Sequence, residues 1–326
     1  MAAKRFPILF IAPSRIGDAV LASGLVKALS DEVPEARFTI AAAPLTAPLF
    51  AQVPGLQALV AMEKKPLGLH WLSLWRGVRT RHWGLVVDTR GSALARVLRR
   101  SRRAAHEKGA PPAHKVIDAA RLLRMEDRPP APFLFTSPRI EARAAALTAG
   151  AGPILAVAPA AAWIGKTWPA ERFAAVVRAL LADDGPLAGG RLMVVGGPAD
   201  RAATDPVRAT IPKARRVDLP GSEGLLEVYA ALRHARLFVG NDSGLMHMAA
   251  AAGAPTLGLF GPSDESRYGP WGPSARTVRG PRDFEAYRRA DPRLDQAVCH
   301  MMDLRAPAVL AAATSLIAQT AERLEA

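Results

Sequence analysis

Short runs of consecutive apolar residues alternate along the chain with longer stretches whose apolar positions recur every three or four residues. The first kind predicts buried strands and the second predicts helices with one covered face. Pro7–Ala12 is an apolar run that Pro13-Ser14-Arg15-Ile16-Gly17 interrupts, and Val20, Leu21, Leu25, Ala28 and Leu29 then line one side of a helix over Ala19–Leu29. Arg37–Ala42 and Leu85–Val87 read as further strands, with helices near Leu72–Thr80 and Ala93–Arg100. Arg128-Pro129-Pro130-Ala131-Pro132 then breaks the pattern, and a helix over Ile140–Ala149 leads through Gly150-Ala151-Gly152-Pro153 into a new strand. The domain boundary is expected in this Pro/Gly-rich stretch, near residue 150.

The rhythm after the boundary is clearer. Strand Ile154–Ala158 precedes helix Ala170–Leu181; strand Leu192–Val195 precedes a helix after Pro198; Arg216–Leu219 precedes helix Leu225–His234. Strand Leu237–Val239 precedes helix Leu245–Ala252, and Thr256–Phe260 closes the series. Strands alternating with helices imply parallel sheets covered on both faces, hence an α/β fold of two Rossmann-like domains, 1–150 and 151–326. A last helix, Pro307–Leu324, is free to pack back on either half, the first domain included.

Composition changes this picture in two respects. The 326 residues carry a formal charge of +14, which favours anionic partners: phosphates, nucleic acid or an acidic membrane surface. A single cysteine, Cys299, leaves no internal disulfide and suits a reducing, cytoplasmic setting. Phe6–Ala12 is too short for a secretory leader, and no apolar run is long enough to span a bilayer.

The candidate chemistry lies on loops that follow strands. In Val239-Gly240-Asn241-Asp242-Ser243-Gly244-Leu245-Met246-His247 an apolar strand turns into an apolar helix. Gly240 and Gly244 would let backbone approach a ligand, and Ser243 would cap the helix. The free amides of the helix start suit a phosphate, while Asp242 suits sugar hydroxyls. An ordinary helix cap explains the same residues without a ligand, and an Asp-Ser-His triad lacks the G-x-S-x-G elbow. In Trp163-Ile164-Gly165-Lys166-Thr167-Trp168-Pro169 a lysine follows the strand Ile154–Ala158, but Ala160 stands where a P-loop needs glycine. Lys166 is expected to stabilise charge on a departing diphosphate; the bland reading is a surface lysine between core tryptophans. Asp18, in the first strand-to-helix turn, is either a dipole-compensating carboxylate or a general base. The loops at Gly196-Gly197-Pro198-Ala199-Asp200 and Gly261-Pro262-Ser263 also directly follow strands.

Several patterns are missing. G-x-G-x-x-G and D-x-D do not occur, and no His/Cys cluster suggests a metal, so neither a dinucleotide nor a metal cofactor is expected. The basic run Arg96, Arg99, Arg100, Arg102, Arg103 has no interleaved aromatics, so it reads as a solvated helix end or a contact for anionic lipid, not a nucleic-acid module.

In order and spacing, five of these segments together resemble glycosyltransferase family 9, the ADP-heptose:lipopolysaccharide heptosyltransferases. They are Gly17-Asp18, Lys166-Thr167-Trp168-Pro169, Val195-Gly196-Gly197-Pro198, Gly240–His247 and Phe260-Gly261-Pro262-Ser263. The resemblance implies a GT-B architecture, two Rossmann-like domains facing across a cleft, the first binding the acceptor and the second the nucleotide-sugar. It implies inverting, metal-independent transfer, with Asp18 matching the catalytic base and Lys166, Ser243 and Gly244 matching diphosphate-binding positions. Asp242 and His247 fall in the donor-sugar motif; Asp200, near a ribose contact, and Gly261 join the donor set. Arg15, Arg96, Arg99 and Arg100 are assigned to the acceptor or membrane side. The implied partners are a nucleotide-sugar donor, an anionic glycolipid acceptor and the inner leaflet of the cytoplasmic membrane, not nucleic acid. This chain departs from the pattern at Ala160-Ala161-Ala162, where relatives carry Ser or Thr, and at Gly24, where they often carry Pro. A nucleotide-sugar epimerase or hydrolase on the same architecture, and a basic nucleic-acid binder, are the competing readings.

Overall fold

A computed structural model describes residues 5–106, 109–219, 223–294 and 297–325 of the chain. They fall into two compact units, 1–137 and 138–326, each built on one five-stranded parallel sheet.

The first sheet contains β1 (Phe6–Ile11), β2 (Ala36–Ala42), β3 (Leu56–Ala61), β4 (Trp83–Asp88) and β5 (Arg100–Ala105) in the order β3-β2-β1-β4-β5. β1 and β4 lie side by side, Ile11 opposite Asp88, so their carboxyl ends form the point where the winding reverses. The central strands are uninterrupted apolar runs because helices cover both faces; Ile8, Leu9, Phe10, Phe38, Ile40, Val86 and Val87 have no exposed surface. Helix Ile16–Glu32 leaves β1 with Asp18 in its first turn. Gly24, one of the departures noted above, has a steric cause: a Cβ there would stand 2.4 Å from the Pro130 carbonyl oxygen. Ser23 Oγ accepts the Phe133 amide beside it, so segment 130–133 is laid directly on this helix.

The second sheet contains β6 (Ile154–Ala158), β7 (Arg191–Val194), β8 (Ala235–Asn241), β9 (Thr256–Phe260) and β10 (Ala275–Arg279), ordered β10-β9-β8-β6-β7. Its reversal lies between β6 and β8, where Ala158 pairs with Gly240.

Three expectations need correction. The basic run is not a helix end: the helix is confined to Leu94–Val97, and Arg100–Ala105 is an edge strand of the first sheet. Charged side chains on an exposed strand edge discourage pairing with other chains, which is reason enough for a run the apolar pattern could not reveal. Arg216–Leu219 is not a strand and contributes one bridge, Arg216 to Leu192; the fifth strand is β10. The unit boundary lies before helix Pro138–Thr148, not near residue 150. That helix packs on helix Leu225–Leu232, with ion pairs Glu141–Arg233 and Arg143–Glu223, while Arg191 binds the carbonyls of Thr148, Ala149 and Gly150. The last helix, Ala306–Glu325, left open between the two halves by the sequence, belongs to the second unit, packing on helix Ala170–Leu180 and on β8, β9 and β10.

Candidate active site

Parallel α/β sheets bind ligands beyond the carboxyl ends of their strands at the winding reversal, and in the second unit that point gathers most of the expected donor residues. The loop after β6 carries Lys166 at the end of a short turn, Ile164–Lys166, before Pro169 starts helix Ala170–Leu180. The loop after β8 carries Asp242 and Ser243, followed by helix Gly244–Ala251. Because β6 and β8 are neighbours, Lys166 Nζ reaches Asp242 Oδ2 at 2.6 Å across 76 residues of sequence. The lysine side chain is 26% exposed and the aspartate 7%. His247, buried one turn into the helix, brings Nε2 to 3.9 Å from the other Asp242 oxygen.

A residue the motif reading passed over fixes this arrangement. Asn241 is fully buried; its amide nitrogen donates to the Pro159 carbonyl (2.7 Å) and its oxygen accepts the Trp168 amide (3.1 Å). It therefore ties both sides of the lysine loop to the end of β8. From the opposite side the loop is held by segment 299–304. There the His300 amide donates to Gly165 O, Cys299 Sγ to Thr167 O, and Trp168 Nε1 to Leu304 O. That segment is anchored in turn by Tyr287, whose hydroxyl reaches His300 O and Asp303 Oδ1 at 2.9 Å each, and by Arg282 on Asp303 Oδ2 at 2.6 Å. Burial, reinforced by the hydrogen bond to Asp303, pushes the Tyr287 hydroxyl up to about 12. Burial also works to raise Asp303, but the hydrogen bonds from Arg282 and Tyr287 outweigh it and leave that carboxyl below its ordinary value. No sequence signal marked this cluster, since its members interleave with ordinary loop residues.

Other expected roles change. Ser243 occupies the N-cap position with extended backbone, yet its side chain makes no capping bond; its Oγ is buried and meets no partner among the described residues. Gly240 sits inside β8, where a Cβ would strike the Phe238 ring at 2.8 Å, so packing accounts for this glycine. Gly261 backs onto Met301, whose sulfur would lie 2.2 Å from an added Cβ. Asp200, in the loop after β7, turns one oxygen onto the Gly197 amide at 2.7 Å and so closes its own turn.

In the first unit, Asp18 is partly buried and Arg15, just before its helix, is exposed. The neighbouring strand β4 ends on Asp88, buried, which accepts from the Arg90 amide (2.9 Å) and Ser92 Oγ (2.6 Å), while Thr89 Oγ1 binds Ile11 O (2.8 Å). Arg96, Arg99 and Arg100 are not brought to Asp18. They lie at the amino-terminal end of β5, where Arg100 pairs with Trp83, whereas Asp18 follows the carboxyl end of β1. Arg100 is also spent on the carbonyls of Arg96 and Leu98. Among the described residues no three His, Cys, Asp or Glu side chains gather as a metal site, and no helix is long and apolar enough to cross a membrane.

Two parallel α/β units of this kind in one chain fit the GT-B class of fold, and family membership makes the chain a glycosyltransferase. The chain belongs to glycosyltransferase family 9 (heptosyltransferase), whose model matches residues 72–296. It is 23% identical to lipopolysaccharide heptosyltransferase 2 of Salmonella typhimurium over 87% of this chain and 91% of that one. Among solved structures it is similar to E. coli ADP-heptose LPS heptosyltransferase II (TM-score 0.72, 20% identity, 97% of this chain and 99% of that one). It is also similar to E. coli heptosyltransferase WaaC with ADP (TM-score 0.70, 17% identity, 95% of this chain and 100% of that one).

Proposed function

We propose that this protein moves heptose from ADP-heptose to an anionic, lipid-anchored acceptor of the lipopolysaccharide core, with inversion and without a metal ion. The observation that carries the reading is the Lys166–Asp242 pair at the second sheet's winding reversal, beside the start of a buried helix. A cation and a row of free amides at one point suit a diphosphate, and Asp242 and His247 suit sugar hydroxyls. Family membership and the named substrates of the relatives supply the sugar and the nucleotide.

In the proposed step, Asp18 takes the proton of the acceptor hydroxyl as that oxygen bonds to the anomeric carbon. The bond from that carbon to the diphosphate breaks, and its electron pair leaves with ADP. Lys166 and the amides at Ser243 and Gly244 stabilise the developing negative charge. The enzyme works at the cytoplasmic face of the inner membrane, where the acceptor is anchored.

The test incubates the purified chain with ADP-heptose, with and without a delipidated core acceptor, in the presence of a chelator. Acceptor-dependent release of ADP with a heptosylated product supports the reading. Consumption of donor at the same rate without acceptor would favour a hydrolase or epimerase instead.

A further inference from the structure

Four of the exposed large apolar side chains belong to the carboxyl end of the first sheet. Leu67 is 98% exposed and Leu45 61%, followed by Leu69 at 47% and Leu72 at 39%. Leu45 stands in the loop after β2, and Leu67 in the loop after β3, where its backbone takes the left-handed conformation (φ 51°). Helix Leu69–Val78 then runs back toward the start of β4, burying Leu74 and Val78 against the sheet. Its outward stripe, at spacings of three and four, is Leu69, Leu72, Arg76 and Arg79, all exposed. Trp71 and Trp75 are half-buried along its flank, each with a guanidinium over its ring: Arg90 at 4.6 Å and Arg79 at 5.0 Å. Arg90 follows the carboxyl end of β4, which fixes the start of this helix at the Asp18 end of the sheet.

Charge completes the pattern. Over residues 62–81 there are five basic side chains (Lys64, Lys65, Arg76, Arg79 and Arg81) and one acidic, Glu63; Lys64 and Lys65 closely precede Leu67 and are exposed, as is Arg15 on the Asp18 loop. Bare leucines at a tip, cations around them and half-sunk tryptophans at the rim are what an interfacial element presents to anionic lipid. A protein partner would want the apolar residues enclosed in a shaped surface, whereas these project singly from a turn and the outer side of a helix.

We infer that the loop Lys64-Lys65-Pro66-Leu67-Gly68 and the first turns of helix Leu69–Val78 are a docking element for an anionic bilayer. Leu67, Leu69 and Leu72 enter the headgroup boundary, and Lys64, Lys65, Arg76 and Arg79 engage lipid phosphates. This rests on the reading that the acceptor is membrane-anchored, and it moves the membrane contact from the Arg96–Arg100 end of the sheet to the Asp18 end.

The experiment uses the full chain and vesicles of phosphatidylcholine alone or mixed with phosphatidylglycerol. With Cys299→Ser removing the single native thiol, a polarity-sensitive probe on Leu67→Cys should brighten with the mixed vesicles only. Leu67→Ser/Leu69→Ser/Leu72→Ser should cut partitioning by about tenfold or more while leaving transfer to a water-soluble acceptor intact. Lys64→Gln/Lys65→Gln should weaken binding and flatten its salt dependence. A dark probe, undiminished partitioning of the serine variant, or equal binding to both vesicles overturns the inference. So does a serine variant that alters self-association and not vesicle binding. Binding through this element without heptose transfer supports docking and rejects the proposed substrate; transfer to the soluble acceptor without vesicle binding rejects docking alone.

Discussion

Lys166 and Asp242 meet at 2.6 Å because β6 and β8 are adjacent strands whose following loops open at the same end of the sheet. The pair sets the ammonium beside the helix start before any donor arrives. Asp242 is nearly buried, so removing Lys166 strands a carboxylate. Lys166→Ala should therefore lower both stability, by about 1–3 kcal/mol, and ADP affinity. Adding Asp242→Asn should recover stability but not affinity. Urea denaturation and calorimetric titration with ADP separate the two effects; a single variant with wild-type ADP affinity would remove Lys166 from the donor site.

Asn241 has two bonds to make and one geometry that makes both. Asn241→Asp retains the acceptor for the Trp168 amide but cannot donate to Pro159 O. The carboxylate also adds negative charge next to Asp242. ADP binding should weaken by about tenfold or more, since losing one buried partner costs roughly 1–3 kcal/mol. Unaltered ADP binding would show that the lysine loop holds its position without Asn241.

Tyr287 is one of three tyrosines in the chain. Its folded-state value is raised, so the protonated phenol contributes stability that is fully present below about pH 10 and is lost as pH climbs toward about 12. An ultraviolet titration of tyrosinate should show a late-ionising component that Tyr287→Phe removes. The same variant should flatten the loss of stability with pH across that window. A high-pH titration that Tyr287→Phe leaves unchanged would contradict the environment described for the segment that braces Gly165.

Gly24→Ala places a methyl against the Pro130 and Ala131 carbonyls. Crowding of this kind costs about 1–3 kcal/mol, so the first unit should melt earlier by calorimetry. A neutral result would mean that segment 130–133 shifts freely on its helix.

The strands that could be read from the sequence are the ones buried on both faces. Ile154–Ala158 and Thr256–Phe260 match their apolar runs residue for residue. The overlooked strands β3, β5 and β10 are all sheet edges, and RSRRAA and ARTVR carry no apolar run because half of each faces water. The candidate donor loops could be found because each directly follows a strand. Their pairing could not, since it depends on strand order, and neither could the brace at 299–304, which no local pattern announces. Nothing local to helix Pro138–Thr148 shows that it belongs to the second unit, because its ion-pair partners, Arg233 and Glu223, lie at least 80 residues away.

Asp18 is the proposed base for acceptor attack, with the diphosphate held independently by the second unit. The direct measurement is turnover and ADP-heptose affinity for Asp18→Asn in the same preparation. A fall in kcat of about 10²- to 10⁴-fold with donor affinity preserved is predicted. Full turnover in that variant, or loss of donor binding along with activity, would contradict it.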